Sequence, residues 1–398
     1  MSITIETALE LVVQVMEPLT SESVPLLCAA GRILAQDLTA AIDQPPFPRS
    51  PLDGYAVRGA DTVGASKETP VTLKVTSKLY AGSYGETPVM TGEAARVMTG
   101  AMLPQGADCV IRQEDTDEGE DTVRLYREHR THDNYVFAGE DFAKGSVLLK
   151  AGTKLDAAAL SVAAASGYDC LTVYRQPRVA LICTGDELVE PGHPLPPGKI
   201  YDSSLVYLSA RLNQLGAQVC SATVAGDDLD TICRAVTQGA ESADLVLTTG
   251  GVSVGQRDLV PAALETLGAV TRFHGVAMKP GMPTLYATLG SVPVLGLSGN
   301  PFAAAVAFEL LARPLLFCMS RDPAVQLRRR SCTLNTPFGK ASRGRRFIRA
   351  VACEGSITLP QGHSSGQMHS MVGCNCLVDI PAGQGALEAG DVVEVVLL

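Results

Sequence analysis

The sequence has no apolar run long enough to span a bilayer, and its opening, MSITIETALELVVQVMEP, lacks a basic flank followed by an apolar core and a small-residue cleavage site. The expectation is a cytoplasmic protein with no membrane partner. A CxxC pair is also missing. The 11 cysteines are scattered, so they read as small buried hydrophobes in a reducing compartment rather than as disulfides or a zinc site. Cys374 and Cys376 are the one close pair, and no further metal ligands are evident beside them. Basic excess is absent, and a net charge of −10 argues against general nucleic-acid binding. Repeats and low-complexity tracts are absent too. What is abundant is turn formers, 38 Gly and 24 Pro, in a chain that is 46% hydrophobic. Its 398 residues exceed what one core usually supports, which predicts several domains.

The most informative stretch is DLVLTTGGVSVGQRD, Asp244 to Asp258. Leu245 to Leu247 suit a fully buried parallel strand, Gly250 and Gly251 a tight turn, Val252 to Gly255 the rest of that turn, and residues 256–268 a helix. Ligands of an open α/β sheet bind at the carboxyl ends of its strands, and the N–H groups at a helix start favour an anion. A phosphate-bearing ligand is one reading of Gly250, Gly251, Ser253 and Gly255; a plain βα turn is the other. Around this stretch, residues 177–320 alternate strand and helix. VALIC and QVCSATVA are strands, Ser203 to Leu215 and Leu229 to Ala240 helices, and Pro301 to Met319 a long apolar helix, which predicts a mainly parallel sheet with helices on both faces.

Upstream, Thr7 to Met16 reads as an amphipathic helix opened by a Thr7–Glu10 capping box, followed by a second short helical piece near Cys28 to Leu34. Four prolines in QPPFPRSPLDG hold a rigid loop with Asp53 and Gly54 at its tip. Short runs between 56 and 142 read as a small β domain, in which the six carboxylates of EDTDEGED form a solvated hairpin loop. Leu155 to Ser166 is a plausible helix. The last 70 or so residues read as a β domain or barrel, with a local basic stretch from Arg328 to Arg349 that either balances charge or forms an anion-binding face.

Chemistry collects after the strands of the α/β region: Thr184-Gly185-Asp186-Glu187, Gly226-Asp227-Asp228 and the glycine turn ending at Asp258. Carboxylates alone would repel a phosphate, so Glu187, Asp227 and Asp258 make sense as a Mg²⁺ group bridging to phosphate oxygens. Each could instead cap a helix. MKPGMP and LSGNP are aimed at the same edge, with Lys279 between proline-stiffened turns and Asn300 at an N-cap before Pro301.

SPLDGYAVR, VMTGAMLPQGADCVI, AGEDF, TGDEL, GKIYDSS, TTGGVSVGQRD, MKPGMP and SGNP, in this order over nearly the whole chain, resemble the molybdopterin molybdenumtransferase family, which includes the E domain of gephyrin. The resemblance implies a multidomain α/β plus β fold. The α/β molybdopterin-binding domain would take residues 1–26 and 177–322, an elongated linker domain 27–45 and 143–176, an inserted β domain 46–142, and a C-terminal β domain or barrel 323–398. It implies a homodimer with a cleft between subunits, catalytic roles for Asp53, Thr99, Asp141, Glu187, Asp227 and Asp258, and substrate contacts from Pro283, Asn300, Lys279, Arg349 and Ser370. The implied reaction takes molybdopterin adenylate and molybdate, with Mg²⁺, to the molybdenum cofactor and AMP, downstream of a molybdopterin adenylyltransferase. Two departures stand out: Met282 where the family commonly has a second lysine, and Ala303 where it commonly has serine. Both remove groups from the oxyanion side, which leaves a scaffold role or a different oxyanion such as tungstate as alternatives.

Overall fold

The computed structural model describes all residues except Met1, Val15, Val254, Gln256 and Arg257. The chain divides into two compact units, Met1–Glu22 with Val173–Leu398, and Ser23–Thr172.

The first unit is built on a six-stranded sheet in the order Gln218–Ala225, Arg178–Thr184, Leu245–Thr249, Val292–Leu297, Leu285–Leu289, Val270–His274. The first four strands are parallel and the last two turn antiparallel. Side chains alternate across the sheet. Val179, Leu181, Leu245 and Leu247 enter one core with Leu208, Leu212 and the long apolar helix, while Ala180, Ile182 and Val246 enter another with Ile232, Val236 and Val260. All five residues of Leu245–Thr249 are buried, because helices cover both faces of this central strand. Each fully buried Leu, Ile or Val contributes about 1.5–3 kcal/mol, so this doubly covered strand anchors the unit.

The long apolar segment Pro301–Ser320 is helical throughout but changes pitch: α over Pro301–Ala307, π over Phe308–Ala312, α again over Arg313–Ser320. By length and composition it could cross a membrane, yet 89% of its most apolar window is buried inside the protein, so here it is a core helix. The N-terminal helix, Ile5–Val13, packs into the same core through Ile5, Ala8 and Val12. Its cap is Thr4, whose Oγ1 accepts the Thr7 N–H at 3.2 Å, so the helix starts earlier than a Thr7 cap would have it.

Behind the sheet the chain closes a five-stranded barrel from Arg328–Leu334, Ser356–Thr358, Arg346–Cys353, Cys376–Ile380 and Val392–Leu397. Ile348, Ala350, Val378 and Val395 fill it, whereas Phe347, Leu377 and Val396, one step out of phase, turn into the α/β core. The barrel is thereby fused to the sheet domain by shared apolar packing.

The second unit holds a five-stranded sheet in the order Cys109–Arg112, Gly54–Val57, Glu93–Val97, Val71–Leu79, Thr122–Leu125, together with the helix Ala157–Ala165 capped by Asp156. The acidic run between Arg112 and Thr122 connects strands at opposite edges of this sheet, so it is a crossing loop and not a simple hairpin tip. The second helical piece is confined to a single 3₁₀ turn, Leu26–Cys28.

Candidate functional site

The glycine turn sits where the four parallel strands end. Gly250 and Gly251 have φ of 82° and 61°, a region L side chains avoid, and a Cβ on Gly250 would lie 2.4 Å from the Thr184 carbonyl. Only glycine lets the chain pass this close to its neighbouring strand. The expected helix start at Gln256 and Arg257 lies outside the described residues; the helix itself runs Val260–Thr266.

Above this turn lies a cleft of about 690 Å³, lined by Glu187, Asp227, Asp258, Gly250, Gly251, Ser253, Pro283 and Asn300. These sequence-predicted residues therefore come together from five separate loops. Asn300 is the N-cap residue before Pro301 but makes no side-chain cap bond, which leaves its amide for the cleft. Asp258 Oδ2 accepts the Gly255 N–H at 2.7 Å; Ser253 and Asp258 also border an adjoining hollow of about 670 Å³, and Gly255 lines that hollow and not the cleft. Asp186 does not line the cleft; its Oδ1 accepts the Asp227 backbone N–H at 3.1 Å and so fixes the loop that carries Asp227. Among the described residues, no lysine or arginine pairs with Glu187, Asp227 or Asp258, and no three acidic, histidine or cysteine side chains are close enough to hold a metal by themselves. The described side chains of the cleft are acidic and uncompensated.

Arg349 and Ser370 are placed elsewhere, in contact with each other. Arg349 is fully buried with no carboxylate partner among the described residues: Nη1 donates to Ser370 Oγ at 2.8 Å and to the Gln367 carbonyl, and Nη2 donates to the Ser364 carbonyl at 2.7 Å. Its guanidinium lies 3.6 Å from the centre of the Phe302 ring, and burial lowers its pKa. The loop that clasps it reaches the cleft through Gly366. Lys279 is not brought into the cleft. It pairs through its backbone with Arg345 and Phe347 of the barrel, and its side chain lines a hollow of about 1200 Å³ with Met282, Arg343 and Arg346. Arg345 in that hollow is already paired with Glu6 and with Asp379 at 2.7 Å, so the basic stretch is partly neutralised. Ala303 is 2% exposed and Met282 56%.

In the other unit Asp53 Oδ1 accepts both the backbone N–H and the hydroxyl of Thr99 at 2.7 Å, and these two bonds hold its carboxyl below the usual range. A Cβ on Gly54 would lie 1.9 Å from the Ile111 carbonyl, so the residue after Asp53 must be glycine for the strand to pair. Asp141 is held separately, its backbone N–H on the Gln44 carbonyl at 2.9 Å. Cys374 and Cys376 spend their thiols on the backbone carbonyls of Ser370 and Ala350. Thr184, part of the first sequence cluster, is in the cleft wall too, and sequence reasoning gave no role to Asp202 and Ser204 beside it. The Asp-Ser-Ser run at a helix start was the available signal.

Three family models match in order: MoeA N-terminal region (domain I and II) over residues 3–167, probable molybdopterin binding domain over 180–317, and MoeA C-terminal region (domain IV) over 332–398. The chain is 36% identical to a molybdopterin molybdenumtransferase of Staphylococcus aureus over 99% of its own length and 95% of that protein's. It is 37% identical to the one of Bacillus subtilis, over 95% and 90% of the two lengths. Among solved structures, a molybdopterin biosynthesis MoeA protein from Pyrococcus horikosii superposes with a TM-score of 0.88 at 34% identity, covering 100% of this chain and 99% of that one. With all three regions matched in order, relatives of this identity along the full length and the same multidomain fold, the chain belongs to the molybdopterin molybdenumtransferase (MoeA) family and is a transferase of molybdenum-cofactor biosynthesis.

Proposed function

We propose that the cleft binds molybdopterin adenylate and that the protein inserts molybdenum from molybdate, with Mg²⁺, releasing AMP and the molybdenum cofactor. The observation that carries this reading is the convergence of three carboxylates, Glu187, Asp227 and Asp258, on a glycine turn. Backbone N–H groups of such a turn suit a phosphate, and carboxylates facing a phosphate require a cation between them. Mg²⁺ fits this donor set: it usually binds through one or two carboxylates plus substrate phosphate oxygens. Bound there, Mg²⁺ would polarise the phosphoanhydride. The protein's share is positioning, with Asp186 holding the Asp227 loop and the Gly255 N–H holding Asp258.

The oxyanion side rests on Arg349 and Ser370. A buried guanidinium without a carboxylate is an unbalanced positive charge, and a dianion at its edge would balance it. Tungstate shares the chemistry of molybdate and is to be tested in parallel. The protein is cytoplasmic and a homodimer on this reading, with the domain boundaries given above. The Asp53–Thr99 pair then serves the cleft of the partner subunit, and the adenylate is supplied by an upstream molybdopterin adenylyltransferase. The test is AMP release from molybdopterin adenylate. Release that needs both molybdate and Mg²⁺, and that falls by orders of magnitude in Glu187→Ala, Asp227→Ala and Asp258→Ala, supports the reading. Release independent of molybdate would sink it.

A further inference from the structure

Asp202 has a carboxylate oxygen that no strong donor among the described residues reaches. It precedes the helix Ser203–Gln214, and its Oδ1 caps that helix by accepting the Leu205 N–H at 2.9 Å. Its Oδ2 is buried without a hydrogen-bond partner among the described residues, although Asp202 is only 2% exposed. The residue is one of those that line the acidic cleft. Ser204 and Thr184, buried beside it in the same wall, make this corner polar. The buried Cys183 thiol faces the carboxylate; burial first, and Asp202 second, push that thiol up, so it stays a weak protonated donor. A thiol is a poor partner for a buried carboxylate oxygen, which a stronger donor from outside the chain would satisfy better.

We infer that Asp202 is a binding residue for the N–H donor edge of the pterin, the 2-amino group with the adjacent ring N–H. This deepens the molybdopterin reading and rests on it. The assignment follows from charge. Phosphates and the dithiolene sulfurs are anionic and are repelled by a carboxylate, whereas the amino-pyrimidinone ring of a pterin is neutral and presents neighbouring N–H groups. Oδ2 accepts from the amino group. The capping bond from Leu205 holds the carboxylate in place, so the acceptor is oriented before the ligand enters. The adenosine half of the adenylate offers the competing donors, one amino group and the ribose hydroxyls, and must be separated by experiment.

The test is fluorescence titration of the intact protein with neopterin monophosphate, with its lumazine counterpart carrying oxygen in place of the 2-amino group, and calorimetry with AMP. Wild type is expected to prefer the pterin over the lumazine by about tenfold or more, the usual effect of one hydrogen bond to a charged group. Asp202→Asn keeps a capping oxygen and turns the free acceptor into a donor, so it should bind the pterin about tenfold or more weaker and lose the preference over lumazine, with AMP unchanged. Asp202→Ser, another good N-cap, should lose the preference without acquiring a donor. Equal wild-type binding of pterin and lumazine overturns the inference without any variant. So does a preference that survives in Asp202→Asn, or a loss that falls on AMP and spares the pterin. Wild type that binds no pterin phosphate at all would instead overturn the molybdopterin reading beneath it.

Discussion

At the scale of single residues the most demanding group is Arg349, since a guanidinium withdrawn from water needs every donor used. Three oxygen acceptors and the Phe302 face meet most of that need, while Nε stays unpaired among the described residues. Lysine cannot reproduce this fork. Arg349→Lys is expected to lower stability by about 2 kcal/mol or more and to raise the molybdate concentration for half-maximal AMP release at least tenfold; Ser370→Ala should raise it less. Thermal melts and molybdate titrations separate the two effects, and an unchanged molybdate dependence would remove Arg349 from the oxyanion site. Met282 offers the opposite experiment. Being 56% exposed, it should accept lysine with a stability change within about 0.5 kcal/mol. The variant should tighten molybdate if the hollow it shares with Lys279 leads to the oxyanion; a constant that does not move would place the oxyanion away from that hollow. Asp186, which the sequence marks only as the neighbour of Glu187, holds the Asp227 N–H in the structure, so its loss should reduce turnover, though less than loss of Asp227 itself.

Elements were legible where one physical signal dominated. The apolar run Leu245 to Leu247 followed by Gly-Gly gave a buried strand and its turn, and Asn300-Pro301 marked a helix start. Signals were lost where two demands overlap. Arg328–Leu334 reads as charge because its first four residues are exposed, yet it is a barrel strand whose inward positions are Cys332 and Leu334. Asp202 caps a helix in the structure, and a cap says nothing of its second oxygen. Glu187 and Asp227 were named from sequence because they closely follow strands, and Asp258 because it ends the glycine turn. Arg349 drew its role from the resemblance, since its burial depends on a loop 15 to 21 residues further on. The π segment had no signal in apolar periodicity. There Glu309 is fully buried between Arg211 at 2.6 Å and Arg313 at 3.1 Å, and Arg313 also donates to the carbonyls of Val325 and Leu397 at 2.7 Å. Removing the one anion leaves two cations stranded, so Glu309→Gln is expected to destabilise by about 3–5 kcal/mol in urea unfolding. A change below 1 kcal/mol would mean that hydrogen bonding alone sustains the network.

Across the whole molecule, charge links the N-terminal helix, the barrel and the α/β body. Asp379 is buried, which alone would raise its pKa, but hydrogen bonds from Arg345 and Arg329 outweigh burial and hold it below the ordinary carboxylate value. A folded pKa below the unfolded one makes the contribution complete above about pH 4, and it is lost as pH falls further through the folded value. Acid titration should therefore show wild type losing stability below about pH 4, with a shallower slope in Asp379→Asn. If Asp53 serves the partner's cleft, a chain with Asp53→Ala still carries an intact acidic cleft, and a chain with Glu187→Ala still carries an intact Asp53–Thr99 pair. Each variant alone is inactive. In a symmetric dimer mixed at equal amounts, half of the dimers are hybrid and one of their two clefts is whole, so activity should return to about a quarter of wild type. Co-refolding or co-expression with two tags allows the hybrid to be purified and its AMP release measured directly. A hybrid as inactive as its parents would place Asp53 and Glu187 in the same cleft of one chain, and monomers that remain active in light scattering at micromolar concentration would dispense with the dimer altogether.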